Sequence, residues 1–278
     1  MRTYSLHTRW KKLLADTVTP VSLYLRLRDH FACPLLLESS DYHGHDNTYS
    51  FIGLEPLAAF SLSGNELSLR LPDGSKETSL LTKPGELPGA LEAFMKRFET
   101  DAETFRFPCN GLFGYQSYDV VRQYETVDIQ TYPDAQREIP DLLYYVYRYL
   151  IVINHFNNEM YLFEHSYGEQ ESRLGHIESL IYSQTLPQYG FEVVGKEETN
   201  YSDETFLDIL QKGKDHCQRG DVFQIVLSRQ FRQAFRGDEF QVYRMLRSIN
   251  PSPYLFYCDY GSFKLMGSSP EAQLIIGK

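Results

Sequence analysis

The sequence predicts an α+β fold with largely antiparallel β-sheets and flanking helices. Three observations carry this prediction. The first 190 residues are short apolar runs punctuated by turn residues, several of these runs are joined as hairpins, and a later segment has the order strand, helix, strand, strand. Around 184–196 the sequence becomes mixed and polar, which divides the chain into a β-rich N-terminal domain over 1–190 and a second domain over 191–278.

Alternation between apolar and polar residues predicts the hairpins. Between 60 and 71, apolar residues alternate with small or polar ones on both sides of a glycine-containing turn, and 72–75 supplies the next turn. Over 141–165, two runs rich in aromatic and branched residues flank an Asn-Asn dipeptide. The three predicted hairpins turn at 63–66, 157–158 and 259–262.

Helical spacing predicts one amphipathic helix in the N-terminal domain, over 88–98, where Leu91, Phe94, Met95 and Phe98 recur on one face. These four residues give the helix an apolar side that can pack against a sheet.

The second domain is predicted to begin with a helix over 202–219, because Ser202 is a favourable N-cap and Gly220 can adopt the left-handed conformation that ends a helix. Alternation over 223–228 then predicts a half-exposed strand. A further helix must stop before Pro251, because proline restricts the residue that precedes it.

The composition describes a soluble globular chain of 278 residues, of which 42% are hydrophobic, enough for a large core. With 37 acidic and 27 basic residues the net charge is −10, which argues against nucleic acid as a partner. The four cysteines form no C-x-x-C pair, and no apolar run is long enough for an export signal or a membrane span. We therefore expect a reduced, cytoplasmic location and no membrane contact.

Two motifs allow competing interpretations. His43 and His45 would point the same way in an extended segment and could ligate a metal, whereas Gly44 and its polar neighbours favour a solvated loop. Gly111 and Gly114 are spaced as in half of a phosphate loop. Because no Lys-Ser/Thr follows them, a glycine-containing strand with close backbone packing explains this spacing better.

Two polar segments are candidates for a binding site. Glu38, Ser39 and Ser40 follow the apolar run 35–37, so that a carboxylate and two hydroxyls at the end of a buried strand could hold an ammonium group. The alternative is a strand that ends in a polar turn. The segment 250–254 is stiffened by two prolines, and it could wall a pocket or only end a helix.

Six segments carry a resemblance over essentially the whole chain: LLLESSD (35–41), YSFIGLEP (49–56), GLFGYQSYD (111–119), GDVFQIVLSRQF (220–231), NPSPYLF (250–256) and GSSPE (267–271). In this order they are similar to the chorismate-utilising enzymes, and most closely to anthranilate synthase component I. Members of this family continue well past the last motif. The resemblance therefore implies a regulatory N-terminal domain followed by the incomplete beginning of a chorismate-binding domain.

The reaction implied by the resemblance converts chorismate and ammonia to anthranilate and pyruvate, the first step of tryptophan biosynthesis. Ammonia would come from glutamine through a separate amidotransferase subunit, and Mg²⁺ would hold the chorismate carboxylate. In the family, the catalytic residues and the metal ligands lie in the stretch that would follow Lys278. We therefore expect neither in this chain, and we expect the chain alone to be inactive.

The resemblance also implies feedback inhibition by L-tryptophan. A carboxylate can bind the ammonium group of the amino acid, a hydroxyl its carboxylate, and apolar side chains its indole ring. Leu255 stands where methionine is usual, which conserves volume and apolarity. The residues carried over are Leu37, Glu38, Ser39, Asn250, Pro251, Ser252, Pro253, Tyr254 and Leu255.

Two alternative functions stay open. The nearest is 4-amino-4-deoxychorismate synthase component I, which shares the fold, substrate and amidotransferase partner, and whose distinguishing features would lie outside this chain. The other is a non-catalytic module that binds tryptophan or the partner subunit.

Overall fold

The computed structural model describes residues 2–39, 48–127, 139–272 and 274, and divides the chain into two compact units. Unit 1 comprises Met1–Pro187 and Tyr243–Lys278, and unit 2 comprises Gln188–Val242. The first change of unit lies close to the predicted division at 190. The return to unit 1 at Tyr243 differs from the prediction, because the last part of the chain adds strands to the first sheet. The assignment of regulatory and chorismate-binding roles to two domains stays a prediction.

Unit 1 contains most of the secondary structure. A short 3-10 helix, Tyr118–Gln123, lies between its seventh and eighth strands. The other elements are β1 Tyr4–Leu14, α1 Pro20–Leu27, β2 Leu35–Ser39, β3 Tyr49–Ser63, β4 Glu66–Arg70, β5 Lys76–Leu80, α2 Glu86–Met95, β6 Phe98–Thr100, β7 Phe113–Gln116, β8 Leu142–Asn154, β9 Glu159–Tyr167, α3 Leu174–Ile181, β12 Tyr254–Asp259 and β13 Lys264–Ser269.

Unit 2 consists of β10 Phe191–Thr199, α4 Asp203–Arg219 and β11 Phe231–Gly237, and α5 Phe240–Ile249 crosses from unit 2 into unit 1. Strands β10 and β11 form an antiparallel pair. The predicted caps of α4 are confirmed, since the Ser202 hydroxyl accepts a hydrogen bond from the Thr205 N–H and Gly220 has a φ of 79°.

The strands of unit 1 form one sheet, which has eleven strands in the described part of the chain. Its main path is β13-β12-β2-β3-β8-β9-β1-β6, with β4, β5 and β7 attached beside this path. All pairings are antiparallel except that of β1 with β6. This topology confirms the predicted α+β class, and the three predicted hairpins are β3-β4, β8-β9 and β12-β13.

Helix α2 packs on the sheet through part of the predicted apolar face, since Leu91 and Phe94 contact the core whereas Met95 is 46% exposed. Leu87 and Phe94 are buried, and the Phe94 ring lies 5.4 Å from the ring of Phe60 on β3. The predicted end of the helix was wrong, because Phe98 begins β6 instead of continuing the helix. In β6 it lies opposite Tyr4 of β1, so that Phe98 belongs to the sheet and not to the helix.

The strand predicted over 223–228 is absent from the described structure, and this prediction was wrong. In unit 2, β10 and β11 pair with each other, and no described strand forms a hydrogen-bonded ladder with the segment 223–228. A strand needs such a neighbour for its N–H and C=O groups. Instead, the end of the segment lies beside α4, where Leu227 is close to Gly213 of that helix. Phe223, at the start of the segment, is fully exposed.

Gly114 on β7 confirms the predicted close backbone packing. A Cβ atom at this position would lie 1.9 Å from the carbonyl oxygen of Leu143 on β8. Only the absence of a side chain lets the two strands pair here.

We expect Gly114→Ala to lower the free energy of unfolding by about 1–3 kcal/mol, because the added methyl group forces β7 away from β8. Gly89→Ala is the matched control, since position 89 lies within α2 with open space around it. That substitution should raise stability by about 0.5–1 kcal/mol. Urea unfolding measures both, and equal stability of the two variants would contradict the close contact.

Candidate functional site

The two segments predicted to form a binding site are neighbouring strands of unit 1. Strand β12 pairs antiparallel with β2, so that Tyr254 lies opposite Ser39 and Leu255 lies opposite Glu38. Phe256 follows opposite Leu37. The structure therefore brings together the backbones of two segments that the sequence analysis assigned to different domains, and it does so within one sheet.

The register distributes their side chains over both faces of the sheet. Residues directly opposite each other share a face, and successive residues alternate between faces. Glu38 and Leu255 thus lie on one face, where they are 5% and 2% exposed. Ser39 and Tyr254 lie on the other face, and Tyr254 is 42% exposed. Glu38 and Tyr254 were predicted to line one pocket, but in the structure they lie on different faces of the sheet, because a single residue step changes the face.

The Glu38 carboxylate is held by helix α5. The Tyr243 hydroxyl donates a hydrogen bond of 2.7 Å to Glu38 Oε2, and Arg247 Nε donates one of 3.0 Å to the same oxygen. These two residues are four apart and therefore share one face of α5. Burial, supported by the neighbouring carboxylate, raises the pKa of Tyr243 and keeps it a hydrogen-bond donor. Glu38 thus fixes α5 to β2.

The segment between α5 and β12 is fixed by β13. Ser268 donates its hydroxyl proton to the Asn250 carbonyl at 2.5 Å and accepts the Ser252 N–H at 3.2 Å. Pro251 is exposed, Ser252 is buried and Pro253 is half-buried. Helix α5 ends at Ile249, before Pro251, as the sequence predicted.

His155, which follows β8, lies near the Glu38 carboxylate. Its Nε2 is 2.7 Å from the hydroxyl of Ser50, which is fully buried. Burial lowers the pKa of His155, and the positive charge of Arg247 acts in the same direction, whereas Glu38 opposes it. The imidazole is therefore neutral at pH 7, so that Arg247 is the cation next to Glu38.

Sequence reasoning identified Glu38 but missed Tyr243 and Arg247 as its partners. The sequence predicted that their helix ends before Pro251, but neither Tyr243 nor Arg247 was a candidate site residue. The available signal was their four-residue spacing on the helix that leads directly into the proline-rich segment.

The metal interpretation of His43 and His45 falls outside the described residues. Within 2–39, 48–127, 139–272 and 274, no group of three or more His, Cys, Asp or Glu side chains is arranged to hold a metal ion. No helix within these described residues has both the length and the apolar character needed to cross a membrane.

Comparison with known proteins identifies a family. The pattern of the family described as chorismate binding enzyme matches residues 38–276. Component 1 of anthranilate synthase from Aquifex aeolicus is 32% identical over 96% of this chain, and that from Thermus thermophilus is 32% identical over 95%. The chain covers 56% of each of these relatives, so that it spans about half their length.

A solved structure shares the fold. The crystal structure of anthranilate synthase component I from Streptococcus pneumoniae superimposes with a TM-score of 0.56 at 20% identity. The match covers 94% of this chain and 57% of that one.

We expect Arg247→Met to lower the free energy of unfolding by about 1–3 kcal/mol, because the buried Glu38 carboxylate loses its cation. Adding Glu38→Gln should recover part of this loss, since the double variant no longer buries an unpaired charge. Lys76→Met on β5 serves as the control for removal of an exposed cation. Urea unfolding measures these three variants and Glu38→Gln alone, and strictly additive losses from the two single substitutions would contradict the coupling.

Proposed function

The chain belongs to the family of chorismate-binding enzymes, and we propose that it is the front part of the large subunit of an anthranilate synthase. The observation that carries the proposal is the match to anthranilate synthase component 1 over nearly the whole chain at about one-third identity. The whole protein would convert chorismate and ammonia to anthranilate, pyruvate and water. Its ammonia would come from glutamine, hydrolysed by a component 2 amidotransferase subunit.

The chemistry of this reaction would lie outside the chain. The family enzyme is expected to use Mg²⁺, but the described residues offer no cluster of ligands for it. We therefore assign no step to the metal and no catalytic role to a residue of this chain. What this chain would contribute is the response to the end product, L-tryptophan.

The tryptophan site would lie where β2 ends and β12 begins. Leu37, Ser39 and Tyr254 share one face of the sheet, and Ser39 and Tyr254 retain exposed surface there that a ligand can reach. A hydroxyl beside an aromatic ring suits the carboxylate and the indole of an amino acid. The segment Asn250, Pro251, Ser252 and Pro253, held by Ser268, would form the rigid wall.

Glu38 and Leu255 would act from the opposite face. Glu38 binds Tyr243 and Arg247, and through α5 it fixes the point at which the proline-rich segment starts. In this proposal Glu38 positions the wall. Leu255 packs on the same face of the β2-β12 pair as Glu38 and is 2% exposed.

The first test concerns tryptophan. Ser39→Phe should abolish tryptophan binding to the chain and tryptophan inhibition of a completed enzyme, because the larger ring fills the space beside Tyr254. Calorimetry measures the binding. Ser79→Phe, at an exposed position of β5, is the matched control and should leave binding unchanged. Tryptophan binding that survives Ser39→Phe would remove Ser39 from the site.

The second test concerns turnover. With chorismate, ammonium and Mg²⁺, the 278-residue chain should release no anthranilate, whereas a protein extended to the length of its relatives should release anthranilate and pyruvate in equal amounts. Anthranilate fluorescence and a coupled pyruvate assay measure the two products. Anthranilate from the chain alone would contradict the assignment of the chemistry to the part of its relatives that this chain does not span. An aminated chorismate that retains its enolpyruvyl group would identify the aminodeoxychorismate alternative.

A further inference from the structure

Unit 1 contains a cavity of about 450 Å³ that none of the candidate tryptophan-site residues lines. It lies where β3 begins, β8 ends and β9 begins, beside the segment 104–107. Its volume falls within the range of small-molecule sites in proteins. Its lining includes Tyr49, Phe105, Arg106, Phe107, Asn154 and Tyr161.

Five aromatic residues line the cavity, and four of them, Tyr49, Phe105, Phe107 and Tyr161, pack against one another. The Phe107 ring lies 5.2 Å from Tyr49, 5.3 Å from Phe105 and 5.0 Å from Tyr161. These are ordinary distances for offset or edge-on aromatic packing. A flat ring that entered the cavity would meet further aromatic edges and faces of the same kind.

The cavity lining contains one acidic and one basic side chain, and only the acidic one forms an ion pair with a described residue. Glu159 is engaged by Lys12 at 2.5 Å and by the Tyr161 hydroxyl at 2.8 Å, and the hydrogen bond from Lys12 lowers its pKa. This carboxylate is therefore already neutralised. Arg106 is exposed, and no ion pair joins it to another described residue.

Asn154 adds a hydrogen-bond donor deeper in the wall. It is 6% exposed, and its Oδ1 accepts the N–H groups of Phe156 and Asn157 at 3.0 and 3.2 Å. Within the described part of the chain its amide nitrogen has no hydrogen-bond partner. That nitrogen and the Arg106 guanidinium can both donate to a carboxylate.

We propose that this cavity binds a small aromatic carboxylate, with its ring against the cluster of four aromatic side chains and its carboxylate at Arg106 and Asn154. This site is separate from the tryptophan site proposed above. Its test is independent of the tests of the proposed function.

Benzoate is a suitable probe, and the chain carries its own reporter. Trp10 is the single tryptophan of the sequence, and its ring lies 5.3 Å from Phe105 and 6.3 Å from Tyr161. Titration of the 278-residue chain with benzoate should change the Trp10 fluorescence in a saturable manner. Benzyl alcohol, which lacks the charge, should bind about tenfold more weakly. Calorimetry on the same samples detects binding that leaves the fluorescence unchanged.

The decisive variant is Arg106→Gln, which should weaken benzoate binding about tenfold, because a charge-assisted hydrogen bond is lost. Since Arg106 is exposed, the fold should persist, and circular dichroism checks this. Arg236→Gln, at an exposed position of β11, is the matched control and should bind benzoate like the original chain. Absence of benzoate binding by both methods would overturn the proposal. Binding that survives Arg106→Gln but is lost in Ser39→Phe would also overturn it, because the probe would then occupy the β2-β12 region.

Discussion

The pairing of β2 with β12 is the constraint on which the candidate site depends. It joins two segments that lie far apart in the sequence, and its register decides which side chains share a face. The ion pair of Glu38 with Arg247 then fixes α5 against the same sheet. With α5 fixed at one end and Ser268 holding the other, the proline-rich segment has little freedom left.

Local features of the fold were predictable from the sequence, because their signals are local. Alternation and turn residues located the hairpins, and Ser202 and Gly220 marked the ends of α4. The segment 223–228 shows where such signals fail. Its alternation is that of a strand, but a strand also requires a partner, and periodicity carries no information about partners.

The candidate site was predictable only in part. The resemblance named the two segments, but neither motif states the register between them, and a step of one residue moves a side chain to the other face. This is why Glu38 and Tyr254 were expected to line one pocket but lie on opposite faces of the sheet. The family assignment does not depend on this point, since it rests on the sequence match over 38–276. The aromatic cavity has no sequence signal, because its wall comes from separate segments.

The order of the strands also bears on how the protein is made. On the ribosome, β2 emerges long before β12, and residues 40–253 must be synthesised before the two can meet. Until then β2 can pair only with β3, which leaves its other side open to water and to neighbouring nascent chains. Closing so long a loop is slow compared with forming the hairpins. During this interval the charge of Glu38 protects β2, because a charged side chain near an open strand edge discourages aggregation until α5 covers it.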